Sequence, residues 1–308
     1  MPGLFRKLFG GPQKQQQTRK DSITGRNKTL NVPYLSRLEG THLQPGQSLI
    51  VRGVITGTDS FVLNLTSGPI VEVTEDGEPL DDRLLSIRCD IAKGRVCFNA
   101  CVNGEWGKEG AIKQRFKLHG EFDIRVRCFE DQFHIYVEHR LVAKFAHYVP
   151  MSRISHVYVN GDVLLYCVSW EGKFYQMPYV ADIPGNFCVG RRLFVSGLVL
   201  KAAKEFHIDL HAGADIACRL IVALPAKKVL RTTRQNDHWE PQIRISDDPE
   251  IPFKRKQTFD LLIYCGEDRF EMLVNDCPFA NFPHRIPADQ INKLSIEGDI
   301  NLLGVHLK

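Results

Sequence analysis

The chain has 308 residues, of which 43% are hydrophobic and 25% charged. That balance excludes wholesale disorder, and the length passes the roughly 250–300 residues at which single cores stop growing, so two domains are expected. The net charge of +4 is uneven: residues 1–30 hold seven basic side chains against one acid, which leaves −2 for residues 31–308, too little for a broad nucleic-acid-binding face.

In chain order, residues 1–30 read as a basic tail. Leu4, Phe5, Leu8 and Phe9 would share one side of a short helix that Gly10-Gly11-Pro12 stops. So short a helix is marginal in water, so a disordered tail with weak contact to anionic membrane is expected. The N-terminus lacks the apolar run of a signal peptide, and a cytoplasmic protein is expected. From residue 31 the chain reads as strands. Ser48–Ile55, Phe61–Leu65, Glu121–Phe129, Phe133–Arg140 and His156–Val168 carry alternating or short apolar runs rich in Val, Ile and Phe. Asn103-Gly104, Gly161-Asp162 and Gly298-Asp299 punctuate them as turns, and no window of twelve residues keeps helical spacing. The nine cysteines include no Cys-x-x-Cys pair, so they read as buried free thiols rather than zinc ligands or a disulfide framework. No metal or cofactor is expected.

Residues 116–170 align without a gap onto 253–307, matching Phe122 with Phe259, Cys128 with Cys265, His147 with His284 and Gly161-Asp162 with Gly298-Asp299. Upstream the offset shifts, so that Trp106 meets Trp239 and Phe61–Leu65 meets Phe206–Leu210. A period near 140 residues is a whole domain present twice. Two all-β antiparallel sandwiches of the jelly-roll kind are expected, at 31–170 and 177–308, joined by a short linker at 171–176. Six extended residues reach at most about 20–22 Å, less than one domain diameter, so a side-by-side pair is expected.

The order of segments resembles the galectin family of β-sandwich lectins, as a tandem-repeat member. The carriers are Val32-Pro33-Tyr34 and Met177-Pro178-Tyr179, the strands Phe61–Leu65 and Phe206–Leu210, Trp106-Gly107-Lys108-Glu109, and the closing segments His156–Val168 and Lys293–Val305. The resemblance implies a galactose site built from His-x-Asn-x-Arg on one strand, Asn on the next, and Trp-x-x-Glu-x-Arg. The indole would stack on the apolar face of the sugar while the polar groups bond its hydroxyls and Glu pairs with Arg. In copy one, Ser86, Arg88 and Asp90 occupy the first three positions; Asn99, Trp106 and Glu109 match; Ala111 replaces the last Arg. In copy two, Arg219, Ile221 and Ala223 replace the first three, Thr232 the Asn and Gln242 the Glu, while Trp239 and Arg244 match.

Both tryptophans read as stacking platforms. Arg88 and Asp90 read as solvated neighbours on a strand face rather than as a new recognition pair. His147 and His284 read as supports of the fold, and Lys254-Arg255-Lys256 as a solvated turn. The expectation is therefore a lectin with weakened or altered β-galactoside recognition, its partner a glycan or glycoprotein, with residual binding in copy one. As in galectins, the resemblance also implies non-classical secretion. A scaffold that keeps the sandwich without binding sugar is the competing expectation. No nucleophile elbow, His-Glu-x-x-His motif or phosphate loop supports an enzyme.

Overall fold

The computed structural model describes residues 29–38, 43–73, 78–244 and 251–308. Residues 1–28 of the tail, and with them its expected membrane contact, lie outside the described residues; at the tail's end Leu30 is paired rather than disordered, its amide donating to the Leu165 carbonyl at 2.8 Å. Those described fall into two compact units, 29–174 and 175–308, each an antiparallel sandwich of a seven-stranded and a five-stranded sheet.

In the first unit the larger sheet runs Tyr34–Arg37, His156–Gly161, Ser60–Thr66, Arg83–Asp90, Arg95–Val102 and Glu105–Trp106, with Gly110–Lys113 also paired to Arg95–Val102. The smaller runs Arg140–Ala146, Gln132–Val137, Glu121–Cys128, Ser48–Ile55 and Val163–Glu171. The second unit repeats both orders strand for strand, from Tyr179–Asp182 to Ile300–Leu307. Among the described residues the helical elements are single turns at Met151–Arg153 and Ala288–Gln290.

Alternation decides which side chains fill the sandwich. Phe61, Leu63 and Leu65 lie in the core, with Phe122, Phe133 and Val159. Val62 and Asn64, between them in sequence, face the other way. A one-residue slip would expose the whole apolar set, which pins the register. The second core repeats this with Phe206, Ile208, Leu210, Phe259 and Phe270. Replacing any one of these phenylalanines by Ala costs about 3–5 kcal/mol.

The repeated Gly-Asp pairs have a steric reason. Gly161 and Gly298 hold φ of 115° and 104°, and a Cβ there would run into the Ser60 or Glu205 carbonyl. The aspartate that follows ties the neighbouring loop: Asp162 accepts from the Asp59 amide at 2.8 Å and Asp299 from that of Lys204 at 2.7 Å. His147 and His284 pack on Phe133 and Phe270 with ring centroids 4.3 and 4.4 Å apart, and burial pulls the His147 pKa down. Arg255 in the basic turn donates to the Ala203 carbonyl at 2.9 and 2.7 Å. All nine cysteines are free thiols, six of them buried.

Candidate functional site

In copy one the alternation of Arg83–Asp90 sends Leu85, Ile87 and Cys89 into the core and Ser86, Arg88 and Asp90 to the open face of the larger sheet. Register then sets their neighbours. Ser86 lies between Asn64 and Asn99, Arg88 beside Cys97, and Cys97 beside Ala111. Trp106 pairs with Cys101 and is 54% exposed. The Asn99 side-chain amide donates to the Gly107 carbonyl at 3.0 Å, which fixes the turn carrying Trp106.

Arg88 Nη2 donates to Glu109 Oε2 at 3.0 Å. This bond raises the arginine pKa, and it holds the Glu109 carboxyl below its usual range. Asp90 is buried and engaged: it accepts from the Lys93 amide at 2.9 Å and from Arg95 Nε at 3.4 Å, lies 3.6 Å from Arg88 Nη1, and the backbone bond leads in lowering its pKa. Arg88 and Asp90 are therefore not the solvated neighbours expected. Arg88 is a fixed partner of the candidate site, and Asp90 is a buried anchor for the strand turn.

Copy two places Arg219 where copy one has Ser86, and its guanidinium is already engaged. Nε donates to Asp209 Oδ1 at 2.8 Å, and Nη2 to Oδ2 of the same carboxylate. Asp209 is 1% exposed. On its other side Arg219 lies over the Trp239 ring, 4.6 Å from the centroid, with Arg234 at 5.9 Å. A cation at that distance is held by the ring quadrupole and occupies one face of the indole. Ile221 lies between His207 and Leu230, and Ala223 lies between Glu205 and Lys228. The Thr232 hydroxyl is turned to the Glu240 carbonyl at 2.7 Å. Arg244 is exposed on a two-residue strand beside Leu230. Trp106 has a looser cation: Arg83 stands 5.7 Å from its centroid.

The profile of the family described as galactoside-binding lectin matches residues 33–170 and 178–307. The chain belongs to this family. It is 35% identical over 283 residues to a 32 kDa β-galactoside-binding lectin of Caenorhabditis elegans, covering 91% of this chain and 98% of that one. It is 34% identical over 279 residues to a protein of the same description from Haemonchus contortus, covering 90% and 95%. Galectin LEC-6 of Caenorhabditis elegans, a solved structure, aligns with 44% of this chain and 93% of its own, at 23% identity and a TM-score of 0.41. The two sandwiches are tandem galectin domains, and the family is one of lectins rather than enzymes.

Sequence reasoning about this lectin missed two pairings. Glu109 has its arginine, supplied by Arg88 from two strands away instead of by position 111. Trp239 carries a cation, Arg219, over its ring. The signal for the second was present: copy two carries Asp209 where copy one carries Asn64 and Arg219 where copy one carries Ser86, a matched exchange of two neutral residues for an ion pair.

Proposed function

We propose that the first domain binds β-galactoside-type glycans with low affinity and that the second does not bind them. The reading rests on the galactoside-binding relatives for the ligand class and on one observation for the division of labour. Trp106 is open beside Asn99 and the Arg88–Glu109 pair, whereas Trp239 lies under Arg219.

Affinity in the first domain is low because Ser86 is short and Asp90 is held by the Lys93 amide, Arg95 and Arg88, so two groups that would bond hydroxyls are lost. Each lost hydrogen bond removes about 0.5–1.5 kcal/mol. The second domain would also have to displace Arg219 from both Trp239 and Asp209, which leaves a buried carboxylate without its cation. That covered platform favours a non-sugar role for the second domain.

Calorimetric titration of the full chain with lactose tests the reading. Trp106→Ala is expected to weaken binding by more than about tenfold through loss of the stacking face. Trp239→Ala is expected to leave it intact. The reverse pattern overturns the assignment, and tight retention of the wild type on lactose resin overturns the low affinity.

A further inference from the structure

One row of paired residues across the second domain's larger sheet differs in charge from its counterpart. Lys293 pairs with His211, His211 with Ile216, Ile216 with Arg234 and Arg234 with Trp239. The same row of the first domain runs His156, Thr66, Arg83, Cys101 and Trp106. Its one permanent cation gives way to the buried Ile216, and permanent cations appear on either side, at Lys293 and Arg234. In the adjoining row Arg219 stands where the first domain has Ser86.

Alternation puts these groups on one face. Ile208, Leu210, Leu294 and Ile296 lie in the core, so Asp209, His211, Lys293 and Ser295 point the other way. Arg234 stands 5.9 Å from the Trp239 centroid, which places it on that open face as well. His211 Nε2 lies 2.8 Å from Ser295 Oγ. Burial leads in lowering the His211 pKa, and Arg219, Lys293 and Arg234 push the same way against Asp209, so all three cations lie within electrostatic reach of one ring. The Lys293 and Arg234 backbones are three strand spacings apart, about 14 Å. Their long side chains can close that gap from both sides, over His211 and Arg219.

Donors remain unspent there. Arg234 gives one Nη2 bond to the Ala214 carbonyl at 2.8 Å, and its Nε is buried without a partner. Arg219 spends Nε and Nη2 on Asp209 and keeps Nη1. Lys293 is exposed. The acids nearby are engaged or stand at the rim. Asp209 is bound by Arg219, Asp215 accepts from the Asn236 amide at 2.9 Å, and Glu297 lies 3.7 Å from His207. Asp182 at the sheet edge and Asp237 and Glu240 beside Trp239 are exposed. Among the described residues no carboxylate holds Lys293 or Arg234 in an ion pair.

We propose that this row of the second domain is a binding site for a phosphate monoester, gripped by Lys293, Arg219 and Arg234 around His211. A monoester near neutral pH carries close to two negative charges and three strong acceptor oxygens, which suits three cations and an arginine N–H that lacks an acceptor. A sulfate monoester carries a single charge and is held more weakly. The site gives the second domain a ligand class of its own and stands independently of the galactoside reading of the first.

The test titrates the full chain with glycerol 2-phosphate and with methyl sulfate at matched ionic strength, following the indole N–H signals by NMR, so that binding to the basic tail is not mistaken for binding here. The Trp239 signal is expected to shift saturably with glycerol 2-phosphate, at an affinity about threefold or more above that for methyl sulfate, while Trp106 stays in place. Lys293→Ala and Arg234→Ala should each weaken it by about three- to tenfold, the loss of one charged hydrogen bond at a partly exposed site, and Arg234→Lys should recover part of the loss. An unchanged spectrum in the absence of ligand shows that each variant is folded. Co-sedimentation with phosphatidylcholine vesicles bearing phosphatidylinositol 4-phosphate separates two sources of the group: binding that Lys293→Ala reduces places it on a lipid headgroup, and binding that Lys293→Ala leaves alone places it on a soluble molecule. No saturable Trp239 shift with glycerol 2-phosphate, an equal response to methyl sulfate, or a response that neither alanine variant changes overturns the site.

Discussion

Ser86 and Arg219 occupy the same place in two copies of one sheet and produce opposite surfaces. In the first domain a small side chain leaves the Trp106 face open, and Arg88 two residues on is free to reach Glu109. In the second a long cation, held from below by Asp209, lies across Trp239. Both tryptophans are about half exposed, at 54% and 47%, so exposure alone does not distinguish a platform from a covered one. What distinguishes them is the residue two strands away and the charge beneath it.

The comparison breaks most sharply at the Arg219–Asp209 pair. Arg219→Ser leaves Asp209 buried without its cation. Removing one partner of a fully buried pair costs about 3–5 kcal/mol; Arg219 keeps a side-chain exposure of 24%, so about 2–3 kcal/mol is expected here. Adding Asp209→Asn rebuilds the neutral pair of the first domain and should restore most of that stability while uncovering Trp239. Chemical denaturation followed by tryptophan fluorescence reads both effects. A single substitution as stable as wild type would remove the pair from the account.

A smaller effect is expected at Arg88. Arg88→Ala frees Glu109 and should weaken lactose binding by about threefold, in line with the loss of one charged hydrogen bond at a half-exposed site. Ala111→Arg, added to it, restores an arginine at the position the family motif uses and should recover the loss. If the double variant binds no better than the single one, Glu109 does not need its partner.

The smallest effect is an acid edge. Arg88 lowers the Glu109 pKa from its ordinary 4.5, so the ionised pair is complete above that value and is lost only as pH falls through the lowered one. Lactose affinity carried by the pair should stay level from neutral pH down to about 5 and fall below the ordinary carboxylate range. In Arg88→Ala that edge should move upward. An edge at the same pH in both proteins would separate Glu109 from the acid loss.

Much of the architecture was legible because it rests on local pattern. The Phe-x-Leu-x-Leu alternation, the Gly-Asp turns and the ungapped repeat each report a backbone requirement that sequence carries directly. The partner assignments were less legible. Arg88 and Glu109 are 21 residues apart and meet only because Arg95–Val102 lies between their strands. Arg219 and Asp209 meet across a hairpin register that sequence alone leaves open by a residue or two. The segment 67–82 reads as a polar loop; that Glu72 folds back onto Tyr158 and Asn160 depends on strands almost ninety residues further on.

The chain has three tryptophans, Trp106, Trp170 and Trp239, whose indole N–H signals can be resolved in a two-dimensional NMR spectrum. Titrating the full chain with lactose while following these signals tests the central claim most directly. The account predicts that the Trp106 signal shifts in a saturable manner while the Trp239 signal stays where it is. A saturable shift of Trp239, with or without one at Trp106, would contradict it.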